Sequence, residues 1–404
     1  MPNPSTTIPL VNLNAQYQTI KPEIDAAIRR IIETSSFILG EELAAFEKEF
    51  AQYCGVQFAV GTSSGTTAIH TALAALRIGL GDEVITTPMT FIATTAEITH
   101  AGARPVFVDI DEQTFTLDVE KVRERIHADY YFDERIGYLV NRLSQRRLKA
   151  IMPVHLYGQM ADMKPLLELA RSYNLHIIED AAQAHGAEAR DEHGAWKRAG
   201  SFGIAATFSF YPGKNLGAYG DAGCVVTDDV RLASYMRLFV DQGRTDKYTH
   251  AFEGRNYRLD TLQAAILRVK LPYLDSWNAR RRAIAQQYNR LLSDLPDVTT
   301  PTISDLRRHV FHLYVIQTPR RDELFRWLNE QGISAGIHYP KPLHVQPAYE
   351  YLGYKQGDFP VAEACAQRVL SLPCYPELTD EQIEFIVETI KRLLTGHRPS
   401  STNQ

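Results

Sequence analysis

FAVGTSSGTTAIHTALAAL, residues 58–76, decides the fold. A short apolar run enters Gly-Thr-Ser-Ser-Gly-Thr, and an apolar helix leaves it. That is a strand, a tight turn and a helix in sequence. Small residues at a helix start leave backbone N–H groups pointing outward at the positive end of the dipole, a site suited to phosphate. The same residues also read as an ordinary N-cap. One cap needs one hydroxyl, and four lie within the six positions 61–66. On this segment alone both readings stand.

Outward from there, strands and helices alternate. Strands are expected at 83–87, 105–110, 149–155 and 176–180, with helices at 91–100, 119–127 and 164–173. Such alternation predicts an α/β fold with a mostly parallel sheet covered by helices on both faces. Further on, 207–211 reads as a short buried strand ended by Pro212-Gly213, followed by the strand CVVT and a helix over 230–240. Upstream, apolar spacing predicts helices over 20–32 and 42–53. A long helix over 271–295 leads to a strand at 309–318 and helices at 321–331, 361–370 and 379–394. This gives a large α/β domain, 1–260, and a smaller C-terminal α+β domain, 261–404. The tail GHRPSSTNQ reads as disordered. Residues 128–147 look like an extra segment between a helix and the strand it feeds.

Ligands of such sheets sit beyond the carboxyl ends of the strands. The residues at those ends are Gly-Thr-Ser-Ser-Gly-Thr, Phe91, Asp180 with Gln183 and His185, and Lys214. Each has a plain alternative: Phe91 as core, Asp180 as a cap, Gln183 and His185 as surface polars, Lys214 as a solvated loop lysine. Together they match the needs of pyridoxal 5'-phosphate. The phosphate needs the helix start, the pyridine nitrogen a carboxylate, the aldehyde a lysine for a Schiff base, and the ring a flat aromatic cover. The same lysine can then move a proton between the two carbons involved.

Composition excludes several classes. The chain has 404 residues, 23% charged, with a net charge of −5, so no bulk attraction to nucleic acid or an anionic membrane is expected. No apolar run reaches the length of a membrane span, and the first residues carry no leader pattern. Cys54, Cys224, Cys365 and Cys374 are scattered and form no CxxC pair. Buried thiols in a cytoplasmic protein are expected. His338 and His344 lie in a proline-rich loop without a ligand set for a metal.

The segments GTSSGTTA, PMTFIATTAEITHAGARPVFVDID, MPVHLYGQMADM, IIEDAAQAHGA, FSFYPGKNLGAYGDAG, NYRLDTLQAAIL and HYPKPLH resemble the signature run of the DegT family. These are pyridoxal-phosphate-dependent nucleotide-sugar aminotransferases with the aspartate aminotransferase (type I) fold. The resemblance runs from near the start to SLPCYPEL. It implies Lys214 as the Schiff-base lysine and Asp180 as the partner of the pyridine nitrogen. It implies Gln183 against the ring or its phenolic oxygen, Gly65, Thr66 and Ser209 at the phosphate, and Phe91 stacked on the ring. It also implies a homodimer with shared sites, Asn256 reaching the partner's phosphate. Members with histidine in place of the lysine are dehydratases, and Lys214 argues against that branch. The sugar stretches look most like enzymes that aminate the C3 ketone of a dTDP-linked 3-keto-6-deoxyhexose with L-glutamate. UDP-linked and C4-acting relatives share most motifs, and a non-catalytic binding regulator is the rival of another class. Phe37, Arg244, His338, Tyr339 and His344 are the substrate candidates.

Overall fold

The computed structural model describes residues 7–302 and 304–396. The first six residues, read for a leader, and all but Gly396 of the tail expected to be disordered lie outside the described residues.

Two helices open the chain, α1 (Leu13–Thr34) and α2 (Glu41–Cys54). β1 (Phe58–Thr62) feeds α3 (Gly65–Ala75), β2 (Asp82–Thr86) feeds α4 (Ala93–His100), and β3 (Arg104–Phe107) precedes α5 (Val119–Asp129). A hairpin follows, β4 (Tyr130–Asp133) and β5 (Tyr138–Asn141), then β6 (Arg147–Ile151), α6 (Met163–Tyr173) and β7 (His176–Asp180). Short β8 (Glu188–Arg190) and β9 (Trp196–Arg198) lead to β10 (Ala205–Ser209), β11 (Gly223–Thr227) and α7 (Val230–Val240). α8 (Thr261–Lys270) and α9 (Leu274–Leu292) carry the chain into the smaller lobe. That lobe holds β12 (Arg307–Arg308), β13 (Tyr314–Gln317), α10 (Arg321–Glu330), α11 (Pro360–Arg368), β14 (Val369–Leu372) and α12 (Asp380–Leu394).

The central sheet runs β1-β11-β10-β7-β6-β2-β3. β11 is antiparallel to both neighbours, and the other pairings along this path are parallel. Every residue of β2 and of β11 is buried, because helices cover both faces; β11, GCVVT, therefore reads as an apolar run rather than as alternation. Thr62, Thr86, Asp180 and Ser209 end their strands on the same rim.

The sequence misjudges several places; the strand expected over 309–318, for one, forms only at Tyr314–Gln317. β14 was expected as the end of a helix, but α11 stops at Arg368 and Val369–Leu372 pairs with β13; all four of its positions are buried, so no period-2 signal exists. The helix expected over 271–295 is broken at its start by a 3-10 turn, Leu271–Tyr273, carrying Pro272. α4 starts at Ala93, which leaves Phe91 outside it.

The packing also crosses the expected boundary after residue 260. Ala264 and Leu267 of α8 join the core of the large lobe, whereas Ile8 joins Ile284, Tyr288 and Tyr314 in the smaller one. Ile8 is held there by a bridge to Ile333: its N–H donates to Gly332 O at 2.9 Å and its carbonyl accepts from Ser334 N at 2.9 Å.

The extra segment is the β4–β5 hairpin. β5 pairs with the entering end of β6, Leu139 opposite Leu148 and Val140 opposite Arg147. Its side chains close over Glu83, a buried carboxylate near the start of β2: Tyr130 Oη donates at 2.6 Å, Ser144 Oγ at 2.7 Å and Asn141 Nδ2 at 3.1 Å. The hairpin thus sits at the strand ends opposite the rim.

Candidate active site

At the rim lies a cavity of about 640 Å³, lined by residues of both lobes. Gly65, Thr66, Phe91, Asp180, Gln183, Ser209, Lys214, His338 and Tyr339 all face it, so nine expected residues from distant parts of the chain meet there.

The start of α3 combines both readings of Gly-Thr-Ser-Ser-Gly-Thr. Ser64 Oγ caps the helix by accepting from Thr67 N at 3.1 Å, and Thr67 Oγ1 accepts from Ser64 N at 3.0 Å. The N–H groups of Gly65 and Thr66 are left for a ligand. The floor is close-fitting: a Cβ on Gly65 would lie 2.6 Å from Ser209 Cβ, and one on Gly223 2.2 Å from Ser64 O. Only glycine lets the backbone come this near.

Asp180 ends β7 and is 4% exposed. Thr94 Oγ1 donates to its Oδ2 at 2.7 Å, and Ala182 N to its Oδ1 at 3.2 Å. Burial pushes its carboxyl up, against these donors and the Lys214 charge. It is therefore a buried acid whose environment lacks a close cation, and a protonated ring nitrogen would supply one. Behind it, Glu179 and His155 are fully buried and paired at 2.9 Å. His155 Nδ1 accepts from Ala161 N, so Nε2 carries the proton that Glu179 receives. Burial opposes the Glu179 charge, but His155 and the N–H groups of Gly200 and Gly203 hold it below its ordinary value.

The amide of Gln183 is oriented from both sides. Its Oε1 accepts from Tyr157 N at 2.7 Å and its Nε2 donates to Tyr339 Oη at 3.2 Å. Tyr157 Oη in turn donates to His338 O. Phe91, 56% exposed, stands with its ring 6.2 Å from that of Tyr339.

Lys214 sits on a closed loop after β10. Its N–H donates to Tyr211 O, and Ala218 N to Phe210 O, each at 2.8 Å. Asn215 Nδ2 donates to Asn278 Oδ1 at 2.8 Å and Val310 O at 3.0 Å, and Lys270 Nζ donates to Gly217 O at 2.7 Å. The enclosed position pulls the Lys214 amine down to about 8, against the pull of Asp180. An amine so poised is a nucleophile near neutral pH. Thr94, Tyr157, Asn278 and Lys270 were not singled out in the sequence. They act through hydrogen bonds across 26 to 86 residues, which no local pattern announces.

Four candidates lie outside this cavity. His344 is buried against Phe359 with Nε2 3.0 Å from Glu363 Oε1, so its ring serves packing in the smaller lobe and cannot reach a sugar in the cavity. Phe37 is on the surface, its carbonyl accepting from Thr261 N. Arg244 is engaged by Asp241 at 2.6 Å, which Arg258 also binds at 2.7 Å. Asn256 bridges Asp241 and is exposed. His185, weighed as a surface polar, is instead buried between Phe208 and Phe210 and driven down to about 3 by burial and Lys214. The four cysteines are buried and free. Among the described residues, no group of three or more His, Cys, Asp or Glu could hold a metal ion. Nor is any helix there long and apolar enough to cross a membrane.

The model of the DegT/DnrJ/EryC1/StrS aminotransferase family matches residues 18–391. The chain belongs to this family. A pleiotropic regulatory protein of Geobacillus stearothermophilus is 46% identical over 95% of this chain and 97% of its own. The dTDP-3-amino-3,4,6-trideoxy-α-D-glucose transaminase of Streptomyces venezuelae is 43% identical over 95% of each chain. The UDP-N-acetyl-3-dehydro-α-D-glucosamine 3-aminotransferase of Acidithiobacillus ferrooxidans is 41% identical over 97% and 99%. Among solved structures, S. venezuelae DesV in complex with a ketimine intermediate superposes with a TM-score of 0.88 at 42% identity, covering 98% of this chain and all of that one. NtdA of Bacillus subtilis, solved with bound PMP, gives 0.84 at 30% identity over 96% and 85%. The fold is the type I fold of these aminotransferases, and this member is a pyridoxal-phosphate-dependent sugar aminotransferase.

Proposed function

We propose that the enzyme moves an amino group from L-glutamate to the C3 ketone of a dTDP-linked 3-keto-6-deoxyhexose. The observation that carries the chemistry is the pairing of Lys214, with its amine near 8, and Asp180 in one cavity. The nucleotide and the carbon position are supported by similarity to the dTDP-3-amino-sugar transaminases. The UDP-linked 3-aminotransferase, at comparable identity, is the second reading for the nucleotide.

The bound cofactor supplies the electron sink that lets a proton leave the amino-bearing carbon. Asp180 holds the ring nitrogen protonated, fixed in place by Thr94. Gly65, Thr66 and Ser209 hold the phosphate. Gln183 would offer its amide to the ring oxygen, and Phe91 would shield the ring. Lys214 would supply the amine that the cofactor aldehyde needs, and its Nζ would hold and move the proton. We read the protein as a homodimer in which Asn256 completes the partner's phosphate site. His338 and Tyr339 remain the sugar-side candidates.

The absorbance of the purified enzyme before and after L-glutamate tests the reading. The yellow band of the loaded enzyme should give way to that of the amine form. That form should then be reoxidised by a dTDP-3-keto-6-deoxyhexose faster than by UDP- or 4-keto sugars. A band that glutamate leaves untouched removes the donor, and preference for another sugar removes the acceptor.

A further inference from the structure

Arg281 of α9 is 3% exposed, yet it lines the cavity that holds Lys214. Its Nη1 donates to Phe311 O at 3.1 Å and to Cys374 O. Its Nε has no partner. Among the described residues, no carboxylate stands within ion-pair distance of it. Burial pulls its pKa down, and Glu377 opposes that from a distance. His312, whose Nδ1 also lacks a partner, lines the same cavity. The charged and titratable groups that act on His312 are Lys214, Arg281, His185 and His338, all cationic or imidazole. Burial first, and then these neighbours, hold His312 well below its ordinary value, so Arg281 carries the charge of this corner of the Lys214 cavity.

A buried cation without a counter-ion is costly, as is each buried donor left unpaired. Joining the carbonyls of Phe311 and Cys374 requires only a neutral donor, so that role leaves the charge unexplained. An anionic ligand at the cavity wall explains the charge. A guanidinium offers its donors as a planar fork that matches one carboxylate. We infer that Arg281 and His312 form the subsite for the α-carboxylate of the amino donor.

The position selects that carboxylate. The donor's amine must arrive at Lys214, and the α-carboxylate is borne on the carbon next to that amine. The cofactor phosphate is another anion that the cavity would receive. Its cradle at Gly65, Thr66 and Ser209 belongs to the large lobe, whereas Arg281 and His312 come from α9 and the segment leading into β13. The inference rests on the reading of the donor as an amino acid.

The loaded enzyme is titrated with three ligands. L-Glutamate reports the donor half-reaction. L-Isoglutamine carries a neutral amide in place of the α-carboxylate. α-Methyl-L-glutamate cannot lose an α-proton and reports binding through the cofactor absorbance. Wild type should favour glutamate over isoglutamine at least tenfold. Arg281→Lys should weaken glutamate and α-methylglutamate by about 10- to 100-fold and narrow the preference over isoglutamine. His312→Gln should act in the same direction by a smaller factor, and it keeps the test open if the arginine variant misfolds. Cofactor affinity should stay within twofold in both. Equal loss with glutamate and isoglutamine, unchanged α-methylglutamate binding, or loss of cofactor affinity each overturns the subsite; the last would assign the charge to the phosphate. Wild type that binds α-methylglutamate tightly yet takes no amino group from glutamate refutes the proposed donor and upholds the subsite.

Discussion

Thr94 Oγ1 donates to Asp180 Oδ2 across 2.7 Å, joining the first turn of α4 to the end of β7. The bond opposes the upward push of burial on the carboxyl. Thr94→Val keeps the shape and removes the donor. The Asp180 pKa should rise further, and a less ionised carboxylate holds the ring proton less well. Turnover should fall about tenfold, in proportion to ~1.4 kcal/mol of lost stabilisation. Cofactor content should be retained, and steady-state rates of the two enzymes check it.

The lowered amine of Lys214 has a consequence for the cofactor-free protein. In the unfolded chain the lysine keeps its proton to about 10.5, and in the fold only to about 8. The unfolded state therefore binds more protons between these values, and stability rises with pH across that window. Below about 8 the fold carries the full cost of an enclosed charge. Lys214→Met apoprotein should exceed wild type by about 3 kcal/mol at pH 7, the gap closing as pH rises from about 8 past 10.5. Urea unfolding at the two pH values measures both, and a constant gap would contradict the account.

Gly65 touches Ser209 as closely as a backbone can. A methyl there would fall 2.6 Å from Ser209 Cβ, so one of the two must move, and both are assigned to the phosphate. Gly65→Ala should fold, with cofactor affinity down at least about tenfold, or ~1.4 kcal/mol. Equilibrium dialysis of the apoprotein gives the number.

The hairpin over Glu83 sits at the far ends of the strands from the cavity. Replacing residues 130–144 by a short link would take three hydrogen bonds from Glu83 and the β5 partner from the start of β6, costing about 3 kcal/mol. The melting temperature should fall while the donor half-reaction of the folded fraction is unchanged.

Much of this was legible because strand ends carry chemistry that the sequence displays: a glycine-rich turn, an acid after an apolar run, a lysine after Pro-Gly. β7 and α7 lie where spacing put them. What was hidden was tertiary. β14 is buried on every residue and has no period to read. Arg281 looks like one of four arginines on α9, and nothing local says that it alone turns into the cavity. His344 carried the right chemistry in a promising loop, but the packing of Phe359 and Glu363 absorbed it.

The bridge of Ile8 to Ile333 bears on how the protein is handled. Leu10 and Val11, two and three residues on, form part of the cavity wall. A shortened start codon assignment, a protease nick after Ile8, or a bulky affinity tag with a cleavage scar at that end would therefore alter the chamber in which the sugar is read. Preparations that differ only in their first dozen residues should be compared for substrate preference before any difference is ascribed to the sugar pocket itself.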